Sequence, residues 1–378
     1  MKHICCILIA IWYSVTLSAQ ERITLLFVGD LMQHDAQIKS ARTADGYDYS
    51  DCFAEVKKQI SEADIAFGNL EVTLGGPPYR GYPAFSAPDE YLHAIQEAGF
   101  DLLLTANNHC LDRGRKGLER TISILDSLQI PCVGTYINSK EREKRYPLLI
   151  EKKGFRIALL NYTYGTNGLK PATPNIVNYI DREQISRDIS QAKSKRPDAI
   201  IACMHWGNEY QRLPNREQRD LANWLLAQGV THIIGAHPHV IQPIEVLHEG
   251  CQQHLVAYSL GNFISNMSAP HTDGGLMLSL TLEKSPLPQL IPPPFINYSY
   301  APEIESLLTP ICRLVDCHYS LVWIARPTLT QEKNFRVIPL SDSIPPLTQE
   351  ARSKLNTFGK NSRLLLQQHN IGISERKK

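Results

Sequence analysis

The chain has almost no net charge. Its 39 Lys and Arg residues are balanced by 38 Asp and Glu residues, which leaves a formal charge of +1 at pH 7 over 378 residues. Proteins that bind nucleic acid carry an excess of basic residues to neutralise phosphates, and this composition gives no support for that class. We therefore expect no nucleic-acid partner, and recognition of an anion must come from a local group of side chains.

Cysteines are few and follow no metal-binding spacing. Of the nine in the sequence, no two stand in a Cys-x-x-Cys motif, which argues against a structural zinc site of the usual kind. Seven lie beyond residue 20, and this odd number excludes a framework in which every cysteine is paired. We expect most of them to be buried apolar thiols, with Cys312 and Cys317 as a candidate pair.

Long apolar runs are also missing, except at the N-terminus. Residues 4–14 are mostly apolar, Lys2 precedes them, and small residues lead to Ala19. A basic start, an apolar middle and a small-residue exit are typical of a secretory signal peptide. A membrane anchor is the alternative, but the run is shorter than the ~20 residues that span a bilayer. We predict a signal peptide at residues 1–19 and a secreted, periplasmic or cell-envelope location.

Beyond residue 20, apolar runs alternate with helical spacing of apolar residues. Strands are predicted at residues 23–28, 64–67, 101–106, 130–134, 199–204 and 231–235. This alternation favours an α/β fold with parallel strands and helical crossovers. Three later runs, at residues 241–247, 255–259 and 276–282, have no helix between them, and we interpret them as antiparallel strands that close a second sheet.

The pattern predicts one large domain and an extension. The domain covers residues 23–284, with two sheets and the helices outside them. Residues 285–378 follow, beginning with a Pro-rich linker at 285–294. A hairpin is predicted at residues 318–325 and 335–340, and a helix at 350–370.

Polar residues follow the predicted strands six times over. In α/β folds such positions meet at one edge of the sheet, so we expect these side chains to gather there. Carboxylate and imidazole groups together suit Zn, Mn or Fe rather than Ca. In the His-x-His pair, strand alternation would point both rings to one side. The predicted ligands are Asp30, Glu71, Asn108, His205, His237 and His239.

Several short motifs in this order resemble the CapA/PgsA family. They are Gly68-Asn69-Leu70-Glu71, Asn107-Asn108-His109, His205-Trp206-Gly207, Gly235-Ala236-His237-Pro238-His239-Val240 and Tyr258-Ser259-Leu260-Gly261-Asn262-Phe263. That family is linked to poly-γ-glutamate capsule synthesis and export. Its fold belongs to the calcineurin-like metallophosphatases, which implies a two-sheet α/β/β/α sandwich here.

The resemblance also implies a role for each residue. Asp30 and His239 would hold one divalent metal ion, and Glu71 would bridge to a second. Asn108, His205 and His237 would hold that second ion. His109 would stand beside the metals as a general acid or a substrate contact.

Two positions depart from the general metallophosphatase pattern. Met32 occupies the place of a histidine two residues after Asp30, and Glu71 replaces an aspartate. His34 is a candidate substitute for the missing histidine. The sequence therefore leaves both one-ion and two-ion occupancy of the site open.

Three function classes follow. The first is a capsule or envelope-polymer protein, associated with membrane-bound capsule machinery. The second is a metal-dependent hydrolase of a phosphoester or a γ-glutamyl amide, and the third is a non-catalytic scaffold that keeps the metal site. The basic residues Arg113, Arg115 and Lys116 favour an anionic polymer or a phosphate-bearing substrate, although a solvated helix start capped by Asp112 explains them equally well.

We predict that the mature protein begins near Gln20 and lies outside the cytoplasm. The physical reason is the basic start, apolar middle and small-residue exit of the leader. N-terminal sequencing of the protein recovered from the envelope or medium of its producer tests this. A mature pool that retains Met1 would contradict it.

Overall fold

A computed structural model of the protein describes residues 21–249, 252–284, 312–340 and 344–376. The predicted signal peptide at residues 1–19 and the predicted linker at 285–294 lie outside these ranges, so both stay predictions. Within the described ranges, no helix combines the length and the apolar character needed to cross a bilayer.

The secondary structure follows the predicted alternation closely. The strands are β1 (Glu21–Leu31), β2 (Ile65–Leu70), β3 (Leu102–Leu104), β4 (Cys132–Val133), β5 (Thr135–Tyr136), β6 (Leu148–Lys152), β7 (Phe155–Thr163), β8 (Ile176–Val177), β9 (Ala199–His205), β10 (His232–Ala236), β11 (Ile244–Glu249), β12 (Gln252–Ala257), β13 (Asn262–Ile264), β14 (Gly274–Lys284), β15 (Cys312–Ala325), β16 (Arg336–Pro339) and β17 (Ser374–Glu375). The helices are α1 (Asp35–Ala41), α2 (Lys57–Ser61), α3 (Asp89–Ala98), α4 (Gly114–Ser127), α5 (Ser139–Arg145), α6 (Arg182–Ser194), α7 (Arg216–Ala227), α8 (Pro327–Thr330) and α9 (Gln349–His369), with a 3₁₀ turn at Ser50–Phe53.

Two large sheets carry the fold. The first runs β16-β15-β14-β1-β2-β3-β4, with β13 beside β1 and β17 beside β15. Within it, β1 to β4 are parallel, and β14 pairs antiparallel with β1. The second runs β11-β12-β10-β9-β7-β6, and its four central strands are parallel. A small pair, β5 and β8, stands apart.

The two faces of β1 explain the layering. Ile23, Leu25 and Phe27 point to one side and share a buried core with strands of the second sheet and with helices α6 and α7. The alternating Leu26 and Val28 share another core with helix α3 and the first 3₁₀ turn. The sheets therefore pack against each other with helices outside, and the predicted two-sheet α/β sandwich is confirmed.

The prediction that three late runs form one antiparallel sheet was right for two of them, since β11 and β12 pair antiparallel in the second sheet, and wrong for the third. Residues 276–282 lie in β14, which pairs with β1 in the first sheet, because β13 first carries the chain back across the sandwich. Residues 255–257 lie in β12, which runs parallel to β10 because β11 returns the chain between them. The β6–β7 hairpin was missed, although β7 is an apolar run that pairs with β9 in the second sheet.

The C-terminal segment continues the first sheet. β15 pairs antiparallel with both β14 and β16, and α9 covers residues 349–369. The candidate pairing of Cys312 with Cys317 was wrong, since both thiols are free. They lie five residues apart on the extended strand β15, and at ~3.3 Å per residue their Cα atoms are too far apart for a disulfide.

Gly29 allows an unusually close approach just before Asp30. A Cβ atom at this position would lie 1.8 Å from the carbonyl oxygen of Gly261. The same carbonyl accepts the backbone N–H of Asp30 at 3.0 Å. The absence of a side chain at residue 29 therefore lets the end of β1 bond to the start of β13.

We predict that Gly29→Ala lowers the free energy of unfolding by about 3 kcal/mol, because an overpacked contact forces the backbone apart. Urea unfolding measures this. The matched control is Gly165→Ala, where a Cβ would meet nothing within 4 Å. Equal midpoints for the two variants would contradict the close-approach argument.

Candidate metal centre

The ends of the parallel strands bring the predicted ligands together. Asp30 lies beside Asn69 across β1 and β2, and His205 lies beside Ala236 across β9 and β10. All six predicted ligands are buried, none more than 3% exposed: Asp30, Glu71, Asn108, His205, His237 and His239. The site therefore lies in the seam between the two sheets.

Five of these residues form two groups that could each hold an ion. Asp30, Glu71 and His239 make one group, and Glu71, His205 and His237 make the other. Within each group the potential ligand atoms lie within 4.8 Å of one another. Glu71 belongs to both groups, which is the position that a bridging carboxylate occupies in a two-metal site.

Glu71 is surrounded in the way a metal ligand is. Its Oε1 atom is buried and has no hydrogen-bond partner, yet it lies 3.6 Å from Nε2 of His205 and 3.7 Å from Nε2 of His239. Two ligands that each stand ~2.1 Å from one ion in a tetrahedron are about 3.4 Å apart. Nδ1 of His237 is likewise buried without a partner. The residues present therefore fit a divalent cation.

Asn108 completes the second group. Its Oδ1 atom lies 2.9 Å from Nε2 of His205, so amide oxygen and imidazole nitrogen converge on one point. Its Nδ2 donates to Asn167 at 3.2 Å, which turns the oxygen toward the histidine.

His237 and His239 lie in a loop after β10, and not in a strand as predicted. β10 ends at Ala236, and the φ angles of His237 and His239 are 99° and 58°. The strand-alternation argument was therefore wrong, because both residues have left-handed backbone in a loop. Their imidazoles still share the site, with ring centroids 5.8 Å apart.

Hydrogen bonds and burial set the ionisation of the centre. Burial alone would raise the pKa of Asp30, but His239 at 3.0 Å and the Asn69 amide at 2.8 Å lower it below its usual range. Burial and the negative charge of Asp30 raise the pKa of Glu71 well above its usual range. Burial lowers the pKa of His205, and it lowers the pKa of His237 to about 3, so both rings are neutral and available as ligands near pH 7.

His109 stands outside all three-residue groups. Its Nδ1 lies 2.8 Å from Oδ2 of Asp112, and its ring meets Phe85 edge-on at 4.6 Å. The same Asp112 oxygen accepts the backbone N–H of Phe85 at 2.8 Å. Asp112 therefore orients His109 and does not cap α4, which begins at Gly114 with Arg113 as its cap residue.

His34 does not join the centre. It precedes α1 as the cap residue, and its Nδ1 lies 3.2 Å from the backbone N–H of Asn266. Burial lowers its pKa to about 4. Two of the three basic residues after His109 have other partners, since Arg113 donates to the carbonyl of Pro78 and Arg115 pairs with Glu119.

Three residues of the site were missed by sequence reasoning. Asn69 donates to Asp30 and lies 3.3 Å from Nδ1 of His205, so it bridges the two groups. Tyr164 packs its half-exposed ring 4.5 Å from that of His237. Glu209 forms a further group with His237 and His239. Asn69 stood inside a motif already noted, Glu209 lies two residues after the His205-Trp206-Gly207 motif, and Tyr164 follows the missed strand β7.

We predict that metal uptake displaces a proton from Glu71. Because the pKa of this carboxyl is raised, acidification protonates it and weakens binding of the ion, whereas the neutral ring of His237 releases no proton. Calorimetric titration with Mn²⁺ at pH 6, in two buffers of different ionisation enthalpy, measures the release. Glu71→Gln should release fewer protons than wild type, while the exposed control Glu217→Gln should match it. Equal release from Glu71→Gln and wild type would contradict this assignment.

Comparison with known proteins identifies relatives of the chain. Two curated relatives are similar to the chain: the Capsule biosynthesis protein CapA of Bacillus anthracis, 29% identical over 69% of this chain, and the PGA biosynthesis protein CapA of Bacillus subtilis, 28% identical over 68% of it. The alignments span 64% and 67% of the lengths of those two proteins.

Among solved structures, similarity extends to the calcineurin-like phosphoesterase YfkN of Bacillus subtilis, at 13% identity and a TM-score of 0.43 over 91% of this chain and 98% of that one. The NAD nucleotidase of Haemophilus influenzae has 11% identity and a TM-score of 0.47 over 95% of this chain and 65% of that one. Residues 24–267, more than half of the chain, match the model of the family described as Bacterial capsule synthesis protein PGA_cap. The chain belongs to this bacterial capsule synthesis family.

Proposed function

We propose that the protein binds one or two divalent transition-metal ions, Mn, Zn or Fe, at the centre around Glu71. The observation that carries this proposal is the buried Oε1 atom of Glu71, which has no hydrogen-bond partner and faces the Nε2 atoms of two histidines. A carboxylate buried in this way needs a cation or a proton to offset the loss of hydration.

The arrangement accommodates two ions most simply. Asp30 and His239 would hold one, His205, His237 and Asn108 would hold the other, and Glu71 would belong to both. With a single ion, Glu71 and the facing imidazoles would supply the ligands, and Asp30 would orient His239 through its Nδ1 atom.

The substrate we propose is an anionic polymer of the bacterial envelope, poly-γ-glutamate in the first instance. Membership of the capsule synthesis family supports this, as do two relatives described as capsule and PGA biosynthesis proteins. The protein would act outside the cytoplasm, together with membrane-bound capsule machinery. A phosphate-bearing substrate would use the same chemistry, because carboxylate and phosphate groups are both anions that a divalent cation attracts.

The centre is suited to hydrolysis of a γ-glutamyl amide or a phosphoester. A bound divalent ion would polarise the carbonyl or phosphoryl oxygen of the substrate. His109, held at Nδ1 by Asp112, would leave Nε2 to give a proton to the leaving group or to hold developing negative charge. The second candidate is a scaffold that binds the polymer without cleaving it, which the descriptions of the relatives as biosynthesis proteins also support.

We predict that His109→Ala keeps its metal and its fold but loses hydrolytic turnover by ~10²–10⁴-fold, the usual contribution of a general acid or base. His205→Ala should lose metal as well, because its Nε2 faces both Glu71 and Asn108. Elemental analysis of the purified variants measures the metal. Assays with poly-γ-glutamate and with a generic phosphodiester measure turnover.

The matched control is His248→Ala, an exposed histidine on β11 far from the strand ends that carry the ligands. It should retain both metal and turnover. Loss of metal from His109→Ala would make His109 a ligand. Metal without turnover in wild type would favour the scaffold, and an absence of metal from wild type would overturn the proposed centre.

A further inference from the structure

Glu209 differs from the other carboxylates of the centre in its exposure. Asp30 and Glu71 have side chains that are 0% exposed, whereas the side chain of Glu209 is 41% exposed. Its Oε1 atom nevertheless lies 4.0 Å from Nε2 of His239, and it forms a group with His237 and His239 whose atoms lie within 4.8 Å. Both histidines also belong to the buried groups, so Glu209 marks the solvent side of the same centre.

The backbone holds Glu209 in this place from both sides. The N–H of Trp206 donates to the carbonyl of Ala236 at 3.1 Å, and the N–H of Tyr210 donates to the carbonyl of Pro238 at 2.9 Å. These bonds tie the loop after β9 to the loop that carries His237 and His239. Tyr210 has a φ of 66°, so a left-handed residue turns the chain directly after Glu209. An ordinary surface glutamate would have no such tether to a pair of buried imidazoles.

We propose that Glu209 is an exchangeable outer ligand of the metal centre, which the anionic group of the substrate displaces. This inference rests on the proposed function. Buried ligands such as Glu71 have no room to leave, but a side chain at the solvent boundary can rotate away from the ion. A catalytic metal site keeps one position that substrate can take, and Glu209 occupies the side from which substrate must enter.

The chemistry of the exchange favours an anionic substrate. A carboxylate or a phosphate oxygen that replaces Glu209 keeps an anionic oxygen donor at the metal. A γ-glutamyl polymer carries carboxylates and a phosphoester carries phosphate oxygens, so the same step serves both. Selection for anions would thus arise at the metal itself.

The test uses the purified protein loaded with Co²⁺, whose visible absorption reports its ligands. Wild type, Glu209→Ala, Glu209→Gln and the exposed control Glu217→Ala are titrated with inorganic phosphate. We expect the two Glu209 variants to differ from wild type in their Co²⁺ spectra before phosphate is added. They should then bind phosphate at about tenfold lower concentration, since a tethered competitor at millimolar effective concentration is gone. Glu217→Ala should match wild type throughout.

The outcomes distinguish failure of the Glu209 inference from failure of the proposed metal centre. If wild type takes up no Co²⁺, both the proposed centre and the role of Glu209 are overturned. If wild type binds Co²⁺ and His205→Ala does not, but the Glu209 variants keep the wild-type spectrum and phosphate affinity, the centre stands and this inference fails. Circular dichroism of each variant verifies the fold. If Glu209→Ala fails to fold, Glu209→Gln keeps the test valid, because it retains the shape of the side chain.

Discussion

The structure depends on the burial of two carboxylates, Asp30 and Glu71, within one small site. Neither forms an ion pair with a Lys or Arg side chain anywhere in the described part of the chain. Asp30 is compensated by Asn69 and His239, but one oxygen of Glu71 has no partner. An unpaired buried carboxylate is among the costliest groups that a fold can hold. A bound cation would offset this cost, and this is the physical basis of the proposed metal centre.

The scaffold is arranged to make this burial possible. The ligands come from strands of both sheets, and the seam between the sheets is where they meet. Asn262, at the start of β13, places its Oδ1 atom 3.1 Å from Nδ1 of His239 and donates through Nδ2 to the carbonyl of Thr272. The crossing from the second sheet back to the first therefore supports a ligand directly.

Much of the site was predictable from the sequence, because the signal is local. A buried strand that ends in Asp, Asn or His is visible in the sequence, and parallel topology brings such ends together whatever the exact register. The places where prediction was wrong were set by nonlocal pairing. Residues 276–282 join the first sheet because they pair with β1, which lies more than 240 positions earlier, and no pattern within the run itself predicts that pairing.

His237, His239 and Glu209 also depend on contacts that are distant in the sequence, here between loops and not between strands. The His-x-His spacing suggested a strand, yet the backbone turns left-handed at both residues, since their neighbours and not their own propensity decide the loop. Glu209 gave no signal as a ligand because its neighbours His237 and His239 lie about thirty residues away along the chain. Its approach depends on two backbone hydrogen bonds between loops, which only the folded chain reveals.

The depth of each group below the surface separates the tasks that a metal centre must perform. Deeply buried residues such as Glu71 and His205 have fixed surroundings, so they can set how tightly an ion is held. Glu209 lies at the boundary, so in the proposed function exchange with substrate would occur there without displacing the buried ligands. His109 is bound to Asp112 and stands outside every group, so proton transfer by His109 would not require a change in the metal ligands. The proposed binding, exchange and proton transfer would therefore rest on different side chains.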